Sequence, residues 1–187
     1  MTDKTEVRGF VGDNTNKGEK NTTHNYMTIR EATSNDHNGI WEIFEQVVRA
    51  GDTYAFDPNT PKEDLPKLWF APGMKVFVAE ENGKILGTYF IKPNQPGLGS
   101  HIANCGYMVH PETRGRGLGK QMFDHSWAVA KEYGYKGMQF NLVVSTNKIA
   151  VQLWEKLGFK IIGTIPKGFN HRQLGYVDAY IMFREMD

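Results

Sequence analysis

The chain has a single cysteine, Cys105, in 187 residues, so it forms no internal disulfide and cannot build a thiolate zinc site by itself. Excess charge is missing too: 22 lysines and arginines stand against 21 acidic residues, and the net +1 supplies no field for nucleic acid or an anionic membrane. No apolar run approaches the ~20 residues of a membrane-spanning helix. The opening residues hold no apolar segment of a secretory signal. The six histidines never fall at His-x-x-x-His spacing, so no metal is expected. These lacks lead to one soluble domain in a reducing cytoplasm, without nucleic-acid or membrane partners. What is present is 40% hydrophobic residues, enough for a core in a chain of one-domain length.

Residues 1–25 have only Met1, Val7, Phe10 and Val11 as large apolar groups and read as a mobile polar tail, leaving residues 26–187 as the domain. Tyr26 to Glu31 reads as a strand. Ser34 to Asp36 offer helix caps before Ile40, Ile43, Phe44, Val47 and Val48 at helical spacing, and Gly51 marks the stop. Four prolines between residues 52 and 74 leave room only for a short helix around Lys62 to Phe70. Lys75 to Glu80 and Lys84 to Ile91 flank Asn82-Gly83, a hairpin signal. Then come a strand at His101 to Val109, a helix at Gly117 to Tyr133, a strand at Met138 to Val144 and a helix at Asn147 to Leu157. Two closing strands follow, at Phe159 to Ile165 and Val177 to Phe183. The order gives an α/β (α+β) domain: a mixed sheet of about seven strands with about four helices on its two faces.

Between the third hairpin-side strand and its helix stands Arg114-Gly115-Arg116-Gly117-Leu118-Gly119-Lys120. Glycines at a helix start present several N–H groups together, and the helix dipole favours an anion there. A P-loop is excluded, because Gln121 follows Lys120 where a magnesium-binding hydroxyl is required. A dinucleotide fingerprint is also poor, since Lys120 stands where its last glycine belongs. The bland alternative is a turn that merely starts a helix, with its basic groups in water.

Arg114, Gly117 and Gly119 satisfy [Arg/Gln]-x-x-Gly-x-[Gly/Ala] directly after the strand ending Tyr107-Met108-Val109. About 30 residues on, Asn147-Lys-Ile-Ala150-Val-Gln-Leu153-Trp154-Glu-Lys156-Leu-Gly158-Phe159 matches Asn-x-x-Ala-x-x-[Leu/Phe]-Tyr-x-Lys-x-Gly-Phe. With both motifs the sequence resembles the acetyl-CoA-dependent N-acetyltransferases of the GNAT superfamily over residues 26–185. The resemblance implies a sheet splayed near its middle and acetyl-CoA as cofactor. Pantetheine would lie along Met108 and Val109, and the diphosphate on N–H groups from Arg114 to Lys120, with Asn147 as a further contact. It implies direct attack by an amine in a ternary complex, with the N–H of Val109 as oxyanion donor, and the family's habits make a homodimer possible. One departure is Trp154, at the place of a tyrosine thought to protonate the leaving thiolate; an indole N–H is no such acid.

Three strings carry a narrower likeness: His101-Ile-Ala-Asn104-Cys-Gly106-Tyr-Met-Val109, Phe140-Asn141-Leu-Val-Val-Ser-Thr146-Asn147 and Gly51-Asp-Thr53-Tyr54. They are similar to fungal proline-analogue acetyltransferases that detoxify azetidine-2-carboxylate. That likeness implies Asn104 and Asn141 in substrate binding and catalysis, and a small-molecule amine, an amino or imino acid, as acceptor. Thr53, Tyr54 and Phe56 would wall its pocket. Two alternatives stay open: another amine (a protein N-terminus, polyamine or antibiotic), or a non-catalytic acyl-CoA-binding module. Cys105 reads as inert packing, and His101 and His110 as ordinary surface groups at strand ends.

Overall fold

The structure, a computed structural model, describes residues 27–113 and 115–186. The tail expected at residues 1–25 lies outside the described residues, and so does Arg114. Strand β1 (Met27–Glu31) precedes helix α1 (His37–Ala50), whose entry is fixed by the Asp36 carboxylate accepting from the N–H of Thr33 at 2.7 Å. Gly51 ends α1 in the left-handed conformation (φ +64°), as the glycine stop predicts. After the short helix α2 (Leu65–Trp69), strands β2 (Lys75–Glu81) and β3 (Lys84–Pro93) form the hairpin. Both turn residues, Asn82 (φ +53°) and Gly83 (φ +78°), have the positive φ of a type I′ connection.

Strand β4 (Ile102–Val109), helix α3 (Leu118–Glu132), strand β5 (Gly137–Val144), helix α4 (Lys148–Lys156) and strands β6 (Lys160–His171) and β7 (Gly175–Glu185) complete the domain. The seven strands run in the order β1-β2-β3-β4-β5-β7-β6. Every neighbour is antiparallel except β4 and β5. On one face α1 and α2 bury Ile43, Phe44, Leu65 and Trp69 against Val78, Phe90 and Met108. On the other, α3 and α4 bury Met122, Phe123 and Trp154 against Tyr89, Phe140 and Phe159.

Strands β6 and β7 run further than the sequence pattern indicates. The ladder passes Pro166 because its register shifts between Ile165 and Phe169, where Lys167 takes φ +53°, so the proline sits in a bulge rather than ending the strand. The tip of this hairpin is tied to the end of α1: Arg172 donates its main-chain N–H to Gly51 O at 2.9 Å and Nη1 to Arg49 O at 2.6 Å.

The feature that positions a site is the junction of β4 with β5. They pair only through Ile102↔Gly137, Ala103↔Met138 and Asn104↔Gln139. The β5–β7 ladder is itself broken between Phe140 and Val143. From Cys105 onward β4 has no neighbour on that side, and a wedge opens in the sheet.

Candidate active site

Which main-chain groups line the wedge follows from the antiparallel ladder on the other side of β4. Asn94 N donates to Ile102 O (2.7 Å) and His110 N to Leu86 O (2.8 Å), so the even-numbered residues of β4 bond to β3. The odd-numbered residues therefore turn their N–H and C=O groups toward the departed β5. Tyr107 and Val109 open on the wedge in this way. Met108 does not. Its main chain is committed to β3 and its side chain is 1% exposed in the core beneath α1, so the place along the wedge read for Met108 from sequence falls to Tyr107.

Above this edge lies the loop after α1. Tyr54 donates its hydroxyl to Tyr107 O at 2.8 Å and stacks on Phe56 (centroids 5.9 Å), which packs on Phe44 (5.2 Å); Thr53 is half-buried beside them. The close approach depends on Gly106: a Cβ there would lie 2.5 Å from the Phe90 ring and 3.2 Å from the Tyr54 hydroxyl.

The two asparagines singled out by the sequence both bond to Gln139 at the apex of the wedge. Asn104 is buried and donates Nδ2 to Gln139 O at 2.9 Å, closing the last rung between β4 and β5. Asn141 is exposed, with its amide held at both ends: Oδ1 accepts from Gln139 Nε2 (2.8 Å) and Nδ2 donates to Asn94 Oδ1 (2.7 Å). Gln139 and Asn94 escaped the sequence reading. Gln139 was detectable, lying two residues from Asn141 on the same strand face. Asn94 was not, because it follows a proline in a segment read as loop.

At the glycine-rich turn, Gly115 (φ +81°) and Gly117 (φ +74°) need glycine for their backbone conformation, since a Cβ at either meets nothing within 4 Å. Gly119 differs: its Cβ would touch only Leu153 Cδ2 at an ordinary 3.6 Å. The N–H groups of Leu118, Gly119 and Lys120 open α3, where the helical ladder offers them no acceptor. The basic side chains are engaged elsewhere. Arg116 donates Nη2 to both carboxylate oxygens of Glu81 (2.7 and 3.0 Å), and Lys120 pairs with Asp124 at 2.6 Å. The turn thus offers an anion its main chain first, and Arg116 joins only by leaving Glu81. A cavity of about 220 Å³ lined by Met27, Glu81, Thr113, Arg116, Leu118 and Gln121 lies beside it.

Asn147 caps α4, its Oδ1 accepting from Ala150 N at 3.2 Å. Next to it, Thr146 Oγ1 is buried without a partner among the described residues, and Asp52 Oδ1, two residues before Tyr54, is in the same condition. Such oxygens are rare in folded proteins and point to an absent donor.

Burial keeps the thiol and the two phenols at the wedge protonated. Burial pushes the Cys105 thiol up to about 12, so it is no thiolate nucleophile at neutral pH. The Tyr54 and Tyr107 phenols are likewise raised by burial. Trp154 is 8% exposed and lies 4.7 Å from the Phe140 ring and 5.3 Å from that of Tyr107; it is core. His101 is exposed, with Nδ1 3.1 Å from Leu98 O. His110 is not the surface group expected: it is 6% exposed, lodged against Gln46 of α1 at 3.4 Å. Among the described residues no group of His, Cys, Asp and Glu is arranged to hold a metal, and no helix is long and apolar enough to cross a membrane.

Residues 37–159 match the Acetyltransferase (GNAT) family. The chain is 32% identical over 151 residues to the N-acetyltransferase aca1 of Schizosaccharomyces pombe, covering 72% of each chain. It is 27% identical over 158 residues to the L-amino acid N-acetyltransferase AaaT of Escherichia coli, covering 84% of this chain and 97% of that one. A solved structure of an acetyltransferase from Salmonella typhimurium with its cofactor acetyl-CoA has a TM-score of 0.76 at 25% identity, over 87% of this chain and 95% of that chain.

Proposed function

The chain belongs to the GNAT acetyltransferase family, and from that premise we propose that it moves the acetyl group of acetyl-CoA onto the amine of a small amino or imino acid, within the domain at residues 26–187. The observation that carries this reading is the wedge: the pairing of β4 stops at Asn104↔Gln139, which leaves the N–H groups of Tyr107 and Val109 without a strand partner beside a glycine turn whose helix-start N–H groups have no acceptor in the helical ladder.

Acetyl-CoA supplies an activated acyl thioester. The residues present fit it on the chain's own terms. The N–H groups of Leu118, Gly119 and Lys120 suit a diphosphate, and the orphan Thr146 hydroxyl beside Asn147 suits a polar ligand atom. Gly119 has room for a Cβ that its own chain does not occupy. The wedge edge presents the N–H groups of Tyr107 and Val109, donors suited to an oxygen that becomes negative during attack.

The amine must lose its proton to attack, and an aliphatic amine with a pKa near 10 is mostly protonated at pH 7. Cys105, Tyr54 and Tyr107 all keep their own protons through burial, so none of them serves as base. Asp52, with an oxygen that has no donor among the described residues and a place two residues before Tyr54, is the carboxylate we assign to receive it. Asn104 and Asn141, neutral amides anchored on Gln139, orient the acceptor without adding a charge. Return of a proton to sulfur does not run through residue 154, an indole buried in the core.

An amino or imino acid as acceptor is supported by the L-amino acid relative from Escherichia coli and by the three strings resembling proline-analogue acetyltransferases. Polyamines are disfavoured, because amides rather than carboxylates line the apex. The test has two parts. Calorimetry with acetyl-CoA should give saturable binding that Arg116→Glu and Gly117→Trp abolish or weaken at least tenfold; equal or absent binding in all three proteins would overturn the donor assignment. A thiol-release screen over azetidine-2-carboxylate, proline analogues and primary amines should then favour carboxylate-bearing amines.

A further inference from the structure

The face of the sheet under Tyr54 ends in a cation that nothing above uses. Lys92 lies on β3 directly opposite Asn104, and cross-strand partners share a face with their Cβ atoms about 4.5–5.5 Å apart. Phe90 and Lys92 of β3 alternate onto this same side, where Phe90 packs beneath α1, and Asn94 follows just beyond the end of the strand. The Lys92 ammonium stands 5.9 Å from the Phe90 ring centroid, and that ring touches Gly106, over which the Tyr54 hydroxyl sits. Across β4, Asn104 reaches Gln139, and Asn94 holds Asn141.

These groups share one face of the sheet at the apex of the wedge and offer it three kinds of surface. Phe90 and Tyr54 give aromatic walls, the asparagines give amide donors, and Lys92 gives one positive charge. Two basic groups of the glycine turn, among the described residues, already have acidic partners: Arg116 has Glu81 and Lys120 has Asp124. Lys92 is half-buried and among the described residues makes its recorded contact with the Phe90 ring rather than with a carboxylate. A half-buried ammonium facing neutral amides is short of one anion, and the asparagine N–H groups beside it suit the same anion.

We propose that Lys92, together with Asn94 and Asn104, forms the subsite for the acceptor's carboxylate, and that the apolar body of the acceptor lies over this face beside Tyr54 with its amine toward the edge at Tyr107. This rests on the amino- or imino-acid reading above and adds the group that distinguishes such an acid from a simple amine. Selectivity of this kind comes from a charge pair that a carboxamide cannot form.

The experiment compares azetidine-2-carboxylate, or the amino acid ranked first by the thiol-release screen, with its own carboxamide. The quantity read is the ratio of kcat/KM for acid over amide. Lys92→Met keeps the stem on Phe90 and removes the charge; Lys92→Glu reverses it. The ratio should fall at least tenfold in Lys92→Met, through KM of the acid with kcat within about twofold, and further in Lys92→Glu. Turnover of the carboxamide should stay near wild type in both, which also reports that the variants are folded. A ratio unchanged in either variant, or acid and amide lost together, overturns the subsite. Failure of the parent reading looks different: the unmutated enzyme would then acetylate other amines but no carboxylate-bearing one, and both assignments would fall.

Discussion

The hydroxyl of Tyr54 donates to the carbonyl of Tyr107 across 2.8 Å, joining the loop after α1 to the strand edge that β5 leaves unpaired. One bond thus fixes the roof of the candidate site to its floor. Tyr54→Phe should keep the stack on Phe56 and lose the bond, lowering stability by about 1 kcal/mol. If the loop walls the acceptor, as proposed, and not the glycine turn, KM for the acceptor should rise about tenfold while acetyl-CoA affinity holds. Steady-state kinetics with each substrate varied in turn would show it; an equal loss for both substrates would mean that the bond supports the whole wedge.

Glycine 119 separates a demand of the fold from a demand of the ligand. In the first turn of α3 its Cβ would meet Leu153 at 3.6 Å, so Gly119→Ala should stabilise the protein by about 0.5–1 kcal/mol through reduced backbone entropy. Acetyl-CoA should nevertheless bind at least tenfold more weakly, the methyl group lying among the N–H groups assigned to the diphosphate. Gly117→Ala at φ +74° is the contrast: left-handed backbone costs an alanine about 1–2 kcal/mol, lowering the melting temperature by about 2–8 °C. Melting curves with and without acetyl-CoA separate the two effects.

Local signals in the sequence located these features well wherever a short segment decided its own conformation. Asn82-Gly83 made its hairpin and Gly51 stopped α1. Contacts between distant segments were hidden. The partner of Arg116 is Glu81, 35 residues away, and Asn141 is held by Asn94 at a separation of 47. Neither pairing leaves a trace in composition or period. The extension of β6 past Pro166 was masked for another reason: a proline reads as a strand end until a bulge removes its missing N–H from the ladder.

Acid sensitivity should come from the other end of the sheet. Arg30 donates to both oxygens of Asp36 at 2.8 Å, and this pairing, with help from Thr33, holds the Asp36 carboxyl at about 2 despite burial. The folded value lies below the ~3.9 of an unfolded aspartate, so the stabilisation is fully present above about pH 4 and disappears as pH falls through 2. With Arg30 partly in water, about 2 kcal/mol is at stake. Asp36→Asn should be less stable at pH 7 and should flatten the fall in stability between pH 4 and 2. Urea unfolding at a series of pH values measures both; parallel curves for the two proteins would place the acid response elsewhere.

Asp52 gives the sharpest separation of stability from activity. Its Oδ1 is buried with no donor among the described residues, a condition that costs stability unless water, ligand or substrate supplies a hydrogen. An asparagine keeps the shape and removes the charge, so Asp52→Asn should stabilise the free enzyme by about 1 kcal/mol, or about 2–4 °C in melting temperature. If the carboxylate receives the proton of the attacking amine, the same substitution should lower kcat by 10²-fold or more, the usual worth of a positioned base. The loss should shrink as pH rises toward the amine's own pKa, where the neutral amine no longer needs help. A higher melting temperature with an unchanged rate at pH 7 would remove Asp52 from the chemistry and leave solvent as the proton acceptor.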